Sequence, residues 1–305
     1  MKIRPFRLTV LLLSLMIPAA LLAVVLFLVI YSGPALLFNG LHFLVDVTWN
    51  PGDTDNPAVT NGFMVPNGAE FGILVFIIGT VASSTIAILI AVPLAVGGAI
   101  FLAEAVPPRI RPVLSTLVEL VAVVPSVVFG LWGIWVLVPL IGHISPTGSG
   151  YGLFTAGLVL ALMITPIIAS TLLDSLMQVP REFREAAFGL GATHFEVVYK
   201  AMIPMVRTTL VGGIVLALGR ALGETMAVLM VSGGGGNILP NSIFAPISTI
   251  ASFITNNLDG ALIDPTKMTM RTLAEIALVL FIITLAVNSA AKLLSSGVLN
   301  VRKRA

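Results

Sequence analysis

Arg220 and Glu224 stand four residues apart inside one apolar run, and Glu119 stands inside another. A charge at the centre of a bilayer costs about 2.5–3.5 kcal/mol on insertion scales. Side chains that cost this much normally face a bundle interior or a wet cavity. If the run is a single helix, positions i and i+4 share a face. Two readings of the three charges then stand. In one, Arg220 and Glu224 neutralise each other and Glu119 pairs elsewhere. In the other, Arg220 lines a route for an anion, with Glu224 and Glu119 holding it in place. Gly219 and Gly223 flank the pair at a spacing that lets another helix approach. Much other chemistry is excluded. There is no cysteine, so disulfides, thiol catalysis and Cys-ligated metals are absent. His42, His143 and His194 lie far apart and read as solvated loop residues, so no metal site is expected. No Gly-Lys pair occurs, hence no Walker A loop. The chain is read as a non-enzyme that needs no cofactor.

The elements that must position these charges are membrane spans. Of 305 residues, 57% are hydrophobic and only 10% charged, and the mean hydropathy is +1.07. Soluble domains carry about 25% charged residues, so lipid is the solvent for most of this surface. The fold class is all-α: a polytopic membrane protein forming a single domain over 1–305. Apolar runs predict six helices, at 8–30, 71–102, 113–141, 153–173, 208–231 and 272–294. The run 8–30 exceeds the apolar core of a signal peptide, about 7–15 residues, and is read as a retained first helix. Pro93, Pro125 and Pro139 are predicted break points in the long second and third runs. Arg220 falls roughly 18 Å into the fifth span, near mid-bilayer.

Charge sets orientation. Lys2, Arg4, Arg7, Arg109, Arg111, Arg181, Arg184, Lys200, Arg207, Lys292, Arg302, Lys303 and Arg304 fall on one side if the spans alternate; Lys267 and Arg271 fall on the other. The positive-inside rule then places both termini in the cytoplasm of a multi-pass cell-membrane protein. Trp132 and Trp135 fall near the outer end of span three, where an interfacial belt would want them. The outer segment 31–70 carries turn signals at Pro51-Gly52-Asp53, Asn56-Pro57 and Pro66-Asn67-Gly68, and is expected to form a small lobe. Gly233 to Gly236 is expected to be a flexible outer turn.

The cytoplasmic loop 174–206 is the other region with legible chemistry. Pro180 can open a helix, Glu185, Ala186 and Ala187 favour one, and Gly189 and Gly191 end it. A second short amphipathic segment, Phe195 to Met202, leads to Pro204. Two short helices with a Gly bend are expected, lying across the membrane. Phe183, Phe188, Phe195, Val197 and Val198 are available to fill a groove on a partner. Spacing alone leaves open whether this is a docking surface or an interfacial hairpin that merely connects spans.

Two resemblances enter on these residues. Glu185-Ala186-Ala187, Gly191, Ile203 and Pro204 resemble the EAA loop of ABC importer permeases, Glu-Ala-Ala-(x)3-Gly-(x)9-Ile-x-Leu-Pro. Ala201 stands at the Ile position and Ile203 at the Leu position, both still apolar. In that family the loop is a coupling helix that inserts into a cleft on the ATPase. Gly219 to Ala227, with Glu119-Leu120 and Pro125-Ser126-Val127-Val128, is similar to the signature of phosphate importer permeases, and Met226-Ala227 to the PstC-type subunit. The resemblance implies a type I ABC importer permease fold and inorganic phosphate as substrate. It implies Arg220, Glu224, Glu119, Ser126 and Thr225 as pathway residues. It implies a second, PstA-type permease, an ATPase homodimer and an extracytoplasmic phosphate-binding protein as partners, in lipid and without nucleic acid. Asp46, Asp53, Asp55 and Glu70 make the outer loop acidic, which fits delivery of an enclosed anion better than capture of a free one. The rival readings are a permease for sulfate, molybdate or phosphonate, an ion-coupled secondary anion transporter, and a membrane scaffold.

Overall fold

The computed structural model describes residues 3–300, with side chains described for 7–293. Lys2, Arg302, Lys303 and Arg304 therefore lie outside the described residues, and so does the side chain of Arg4. Among the described residues, six helices are long and apolar enough to cross a membrane. The chain divides into two packed units, Met1–Leu74 with Ile254–Ile282, and Val75–Phe253 with Ile283–Ala305.

The first unit begins with α1 (Ile3–Asn39), which runs well past the expected boundary at residue 30. It carries large apolar side chains to its surface, among them Leu13, Ile17 and Ile30. That is the pattern of a helix whose solvent is lipid. The outer segment then builds two small antiparallel ladders: β1 (Trp49–Asn50) with β4 (Glu70–Phe71), and β2 (Asp53–Thr60) with β3 (Phe63–Asn67). The hairpin turns at Asn61-Gly62, with φ of 52° and 81°. This is the residue pair that a two-residue primed turn favours. The three turn signals singled out from the sequence flank or interrupt the strands. Asp264 is buried and accepts hydrogen bonds from the backbone N–H and hydroxyl groups of Thr266 and Thr269, fixing the chain just before the last long helix. Deeper in that helix, Glu275 is buried and accepts from the Asn39 amide at 2.7 Å.

The second unit is organised on α6 (Leu153–Met177), the fourth span. It packs a stripe of buried alanines on α2 (Leu74–Ile100): Ala87, Ala91 and Ala95, four residues apart. Small residues at that spacing let two membrane helices approach without a hydrophobic driving force. Pro93 does not break α2, which continues into a wide turn at Phe101–Ala105. Membrane helices tolerate proline where neighbouring groups satisfy the freed carbonyl.

Two of the expected spans are divided. The third run forms α3 (Arg111–Val123), an interruption at 124–125, then α4 (Ser126–Trp132), a wide turn at Gly133–Leu137 and α5 (Val138–Ile144). Pro125 does break it, because Val124 before the ring is held extended at ψ 131°. Pro139 does not, since it sits in the first turn of α5, where its missing N–H leaves nothing unpaired. The 174–206 segment forms α7 (Arg181–Gly189) and α8 (His194–Glu196). The fifth run gives α9 (Ile203–Leu222) and α10 (Met226–Val231), separated at 223–225. Beyond these lie α11 (Ile250–Ile263), not anticipated from the sequence, and α12 (Met268–Asn300). Gly233 to Gly236 does not form an open turn. Gly233 bridges to Ile247, and the Gly235 carbonyl accepts from Ser248 Oγ. The three histidines lie in helical segments (Gly40–Leu44, α5 and α8), not in loops.

Candidate functional site

The second unit holds a cavity of about 960 Å³. One wall is a single face of α9: Thr208, Val211, Gly212, Val215, Leu216, Gly219 and Arg220. These fall at i, i+3, i+4, i+7, i+8, i+11 and i+12, one stripe of a 3.6-residue helix. Asn288, Ser289 and Lys292 of α12 line it too, with Ala122 of α3 and Ile167 of α6. The wall is mostly apolar, and Arg220 lies at the end of the α9 stripe. Arg220 is exposed and has no ion-pair partner among the described residues.

The other expected pathway residues sit differently. The i+4 relation of Arg220 and Glu224 assumed one helix, and the structure corrects it. The helix ends at Leu222, Gly223 leaves it, and Glu224 turns to the next segment, where its Oε1 accepts from the Ala227 N–H at 3.2 Å. A carboxylate at that position satisfies an orphan donor and suits the positive end of a helix. Glu224 is thus a cap for α10 and not the ion-pair partner of Arg220. Thr225 stands at the N-cap position of α10, its hydroxyl donating to the Gly223 carbonyl at 3.4 Å. Ser126 opens α4 and is half-buried.

α4 and α10 pack closely. A Cβ on Gly130 would meet Met230 Sδ at 2.6 Å and Ala227 Cα at 3.1 Å, so any larger residue would displace the thioether and crowd the α10 backbone. Ser126 and Thr225 therefore stand at the starts of two paired short helices. Glu119 is exposed on α3; the residue of that helix on the cavity wall is Ala122, about one turn further on. Gly219 faces α12, its Cβ position being 3.4 Å from Asn288 Nδ2, whereas that of Gly223 meets only its own helix. The close approach expected at both glycines occurs at the first.

The 174–206 segment is a second built surface. Glu185 and Ala186 are exposed on α7 and Ala187 is half-buried. Gly191 has φ +83°; the Ala192 N–H donates to the Ala187 carbonyl and the Gly191 N–H to that of Phe188. This is a Schellman cap, whose left-handed residue is normally glycine because a Cβ is penalised there. Thr193 and Glu196 form a reciprocal capping box at the start of α8. The second segment is not a separate helix. It runs through a wide turn at Val197–Met202 directly into α9, so Ile203, half-buried, and Pro204, exposed, lie in the first turn of the fifth span. Phe183, Phe188 and Phe195 are exposed as expected, but Val197 and Val198 are buried with Leu172 and Leu176. The outward apolar surface is therefore carried by these three aromatics together with Leu190.

Arg184 does what the sequence did not indicate. Its Nη1 lies 2.8 Å from Glu104 Oε1, at the end of the second span, and its Nη2 donates to the Leu176 carbonyl at the end of the fourth. One guanidinium on α7 thus joins the ends of two spans. Arg111 acts likewise, donating to the carbonyls of Ala103 and Val106. Asn288 was also overlooked, though an amide in an apolar run is itself a signal.

Comparison with known proteins gives this geometry its context. Residues 95–300 match the family described as "Binding-protein-dependent transport system inner membrane component". The chain is 44% identical over 284 residues to "Phosphate transport system permease protein PstC 1" of Mycobacterium tuberculosis, covering 87% of this chain and 84% of that protein. It is 40% identical over 274 residues to the PstC protein of Pasteurella multocida, covering 84% and 79%. Among solved structures, the MetNI methionine ABC transporter in inward-facing conformations superimposes with a TM-score of 0.53 at 19% identity, covering 74% of this chain and 94% of that one. That likeness shows the fold, a type I ABC importer permease. With six apolar helices among the described residues, a family match over more than half its length and relatives at 40–44% identity, the chain belongs to the binding-protein-dependent transport system inner membrane components, and within them to the PstC-type permeases.

Proposed function

We propose that this chain is a transmembrane permease subunit of an ATP-driven importer of inorganic phosphate. The observation that carries the reading is Arg220, without an ion-pair partner among the described residues, on the wall of a largely apolar cavity inside a membrane domain. Phosphate cannot cross hydrocarbon unaided, and a guanidinium at depth lowers its barrier. Apolar walls around it keep binding weak enough for release. Relatives named as phosphate permeases supply the substrate. Glu224, Thr225 and Ser126 support the pathway by setting the two packed short helices; Glu119 flanks it on α3.

The whole chain, 1–305, is taken as one permease domain, with 31–70 and 174–206 as its excursions. Positive charges at Arg109, Arg111, Arg181, Arg184 and Lys200 favour a cytoplasmic 174–206 segment and cytoplasmic termini. Glu185, Ala186, Ala187 and Gly191, with Ile203 and Pro204 behind them, then form the surface that meets an ATPase homodimer. The exposed aromatics Phe183, Phe188 and Phe195 suit such a cleft. A PstA-type second permease completes the pathway, and an extracytoplasmic phosphate-binding protein delivers the ion. The chain itself hydrolyses nothing; motion reaches it as rigid-body rotation of spans.

The test is uptake of labelled phosphate by the reconstituted transporter. Uptake should require ATP and persist when ion gradients are dissipated. Uptake that collapses with the gradient and ignores ATP would favour a secondary transporter, and equal competition by sulfate would favour a broader oxyanion permease.

A further inference from the structure

The cavity has polar groups on two helices, and only those on α9 figure in the pathway reading above. On α12, Asn288 and Lys292 are one turn apart and share a face. Asn288 Oδ1 is buried with no hydrogen-bond partner among the described residues. Leaving such an atom unmet costs about 1–3 kcal/mol. Gly219 leaves it room, since a Cβ there would lie 3.4 Å from Asn288 Nδ2. This contact sets the amide beside the residue that precedes Arg220.

We propose that Asn288 and Lys292 form a second polar station in this cavity, selective for a tetrahedral oxyanion that carries a proton. The station rests on the reading of Arg220 as a pathway residue. Arg220 and Lys292 donate to anionic oxygens, and the Asn288 carbonyl accepts from a P–OH group. Phosphate near neutral pH always carries such a proton. Sulfate carries none, and would leave the amide oxygen facing an anion with nothing to accept. A second station on the same cavity wall as Arg220 also suits passage better than one deep well, because an ion is handed on before it is trapped.

Two measurements test this on the complete transporter, with its ATPase, second permease and binding protein, in proteoliposomes. Asn288→Leu should lower labelled-phosphate uptake about tenfold, the size of one lost charge-assisted hydrogen bond. Asn288→Gln should recover most of it, and Asn288→Asp, which adds a negative charge, should fall at least as far as the leucine variant. The chain has no cysteine of its own, so Ser289→Cys places a single thiol in this chain on the cavity wall. Inorganic phosphate should slow its alkylation, read on this chain by mass, and sulfate at equal concentration should not. Equal protection by both ions, or by neither, overturns the station, as does wild-type uptake by Asn288→Leu. If the leucine variant does not assemble, the alkylation result decides. Arg220→Gln separates the two levels. Wild-type uptake in that variant sinks the pathway itself, whereas an inactive Arg220→Gln beside a fully active Asn288→Leu sinks the station alone.

Discussion

The 174–206 segment and the α9 cavity hold their central arginines in opposite ways. On the segment, Arg184 is bound to Glu104 and to the Leu176 carbonyl, Lys200 to Glu196, and Thr193 to Glu196 in both directions. In the cavity, Arg220 has no ion-pair partner and the Asn288 carbonyl accepts nothing, among the described residues. The difference follows from what each region must do on the proposed reading. A part that passes force has to be tied to what it moves, and matched hydrogen bonds at the ends of spans two and four tie it. A part that passes an ion has to leave its own hydrogen-bonding capacity open. A satisfied guanidinium at position 220 would be a brace and not a path.

Four substitutions can break or sharpen this contrast. The largest effect is expected at Arg220. Arg220→Gln should reduce phosphate uptake by about 100-fold or more, with the complex still assembled, because the residue stabilises the passing ion and braces nothing. A collapse of assembly, measured by co-purification, would make it a brace after all. Next is Gly191→Val, which puts a β-branched side chain at φ +83°. The left-handed conformation costs such a residue about 1–2 kcal/mol, so the cap should rearrange and the ATPase co-purifying with the complex should fall roughly tenfold. Gly191→Asn should do much less harm, since asparagine tolerates that conformation.

Glu104→Gln should act more mildly. The pair it breaks is three-quarters buried, at 24% exposure on each side, and is worth about 1 kcal/mol. Uptake per ATP hydrolysed should drop about fivefold, and exchanging the two charges, Glu104→Arg with Arg184→Glu, should restore part of it. Unchanged coupling would mean that the tie is only structural.

The smallest effect is expected at Asp264, a fully satisfied carboxylate. Burial pushes its pKa up, but hydrogen bonds from Thr266 and Thr269 outweigh this and leave it below the ordinary 3.8. A lowered folded pKa gives stability that is present above the unfolded value and lost as pH falls through the folded one. Asp264→Asn should therefore lower thermal stability of the solubilised complex by about 1 kcal/mol at pH 7, with the gap to wild type closing below about pH 4. Uptake at neutral pH should barely change. A gap that widens in acid would contradict the sign of the shift.

What local composition dictates was legible. Hydropathy sums along the chain, so the six spans could be read in order, although α1 and the third and fifth runs differ at their ends. Gly191 could be read as a helix stop because the left-handed cap is a property of a few adjacent residues. Arg220 could be singled out because a charge in an apolar run is conspicuous whatever surrounds it. The Asn61-Gly62 turn is equally local, a residue pair that favours a primed turn whatever the proline-rich signals around it.

What depends on contacts between distant residues was not legible. Nothing near Arg184 in sequence points to Glu104, and nothing near Gly219 points to Asn288. Val197 and Val198 look like an exposed apolar face until Leu172 and Leu176 pack on them. The break after Leu222 defeated a helical-spacing argument, because a short-range rule holds only while the helix lasts. The sequence by itself determined which segments enter lipid and which few charges they carry there, since transfer free energy belongs to each residue. Only the tertiary structure decided which of those charges is braced and which is left open, because that depends on what another helix brings within about 3 Å of it.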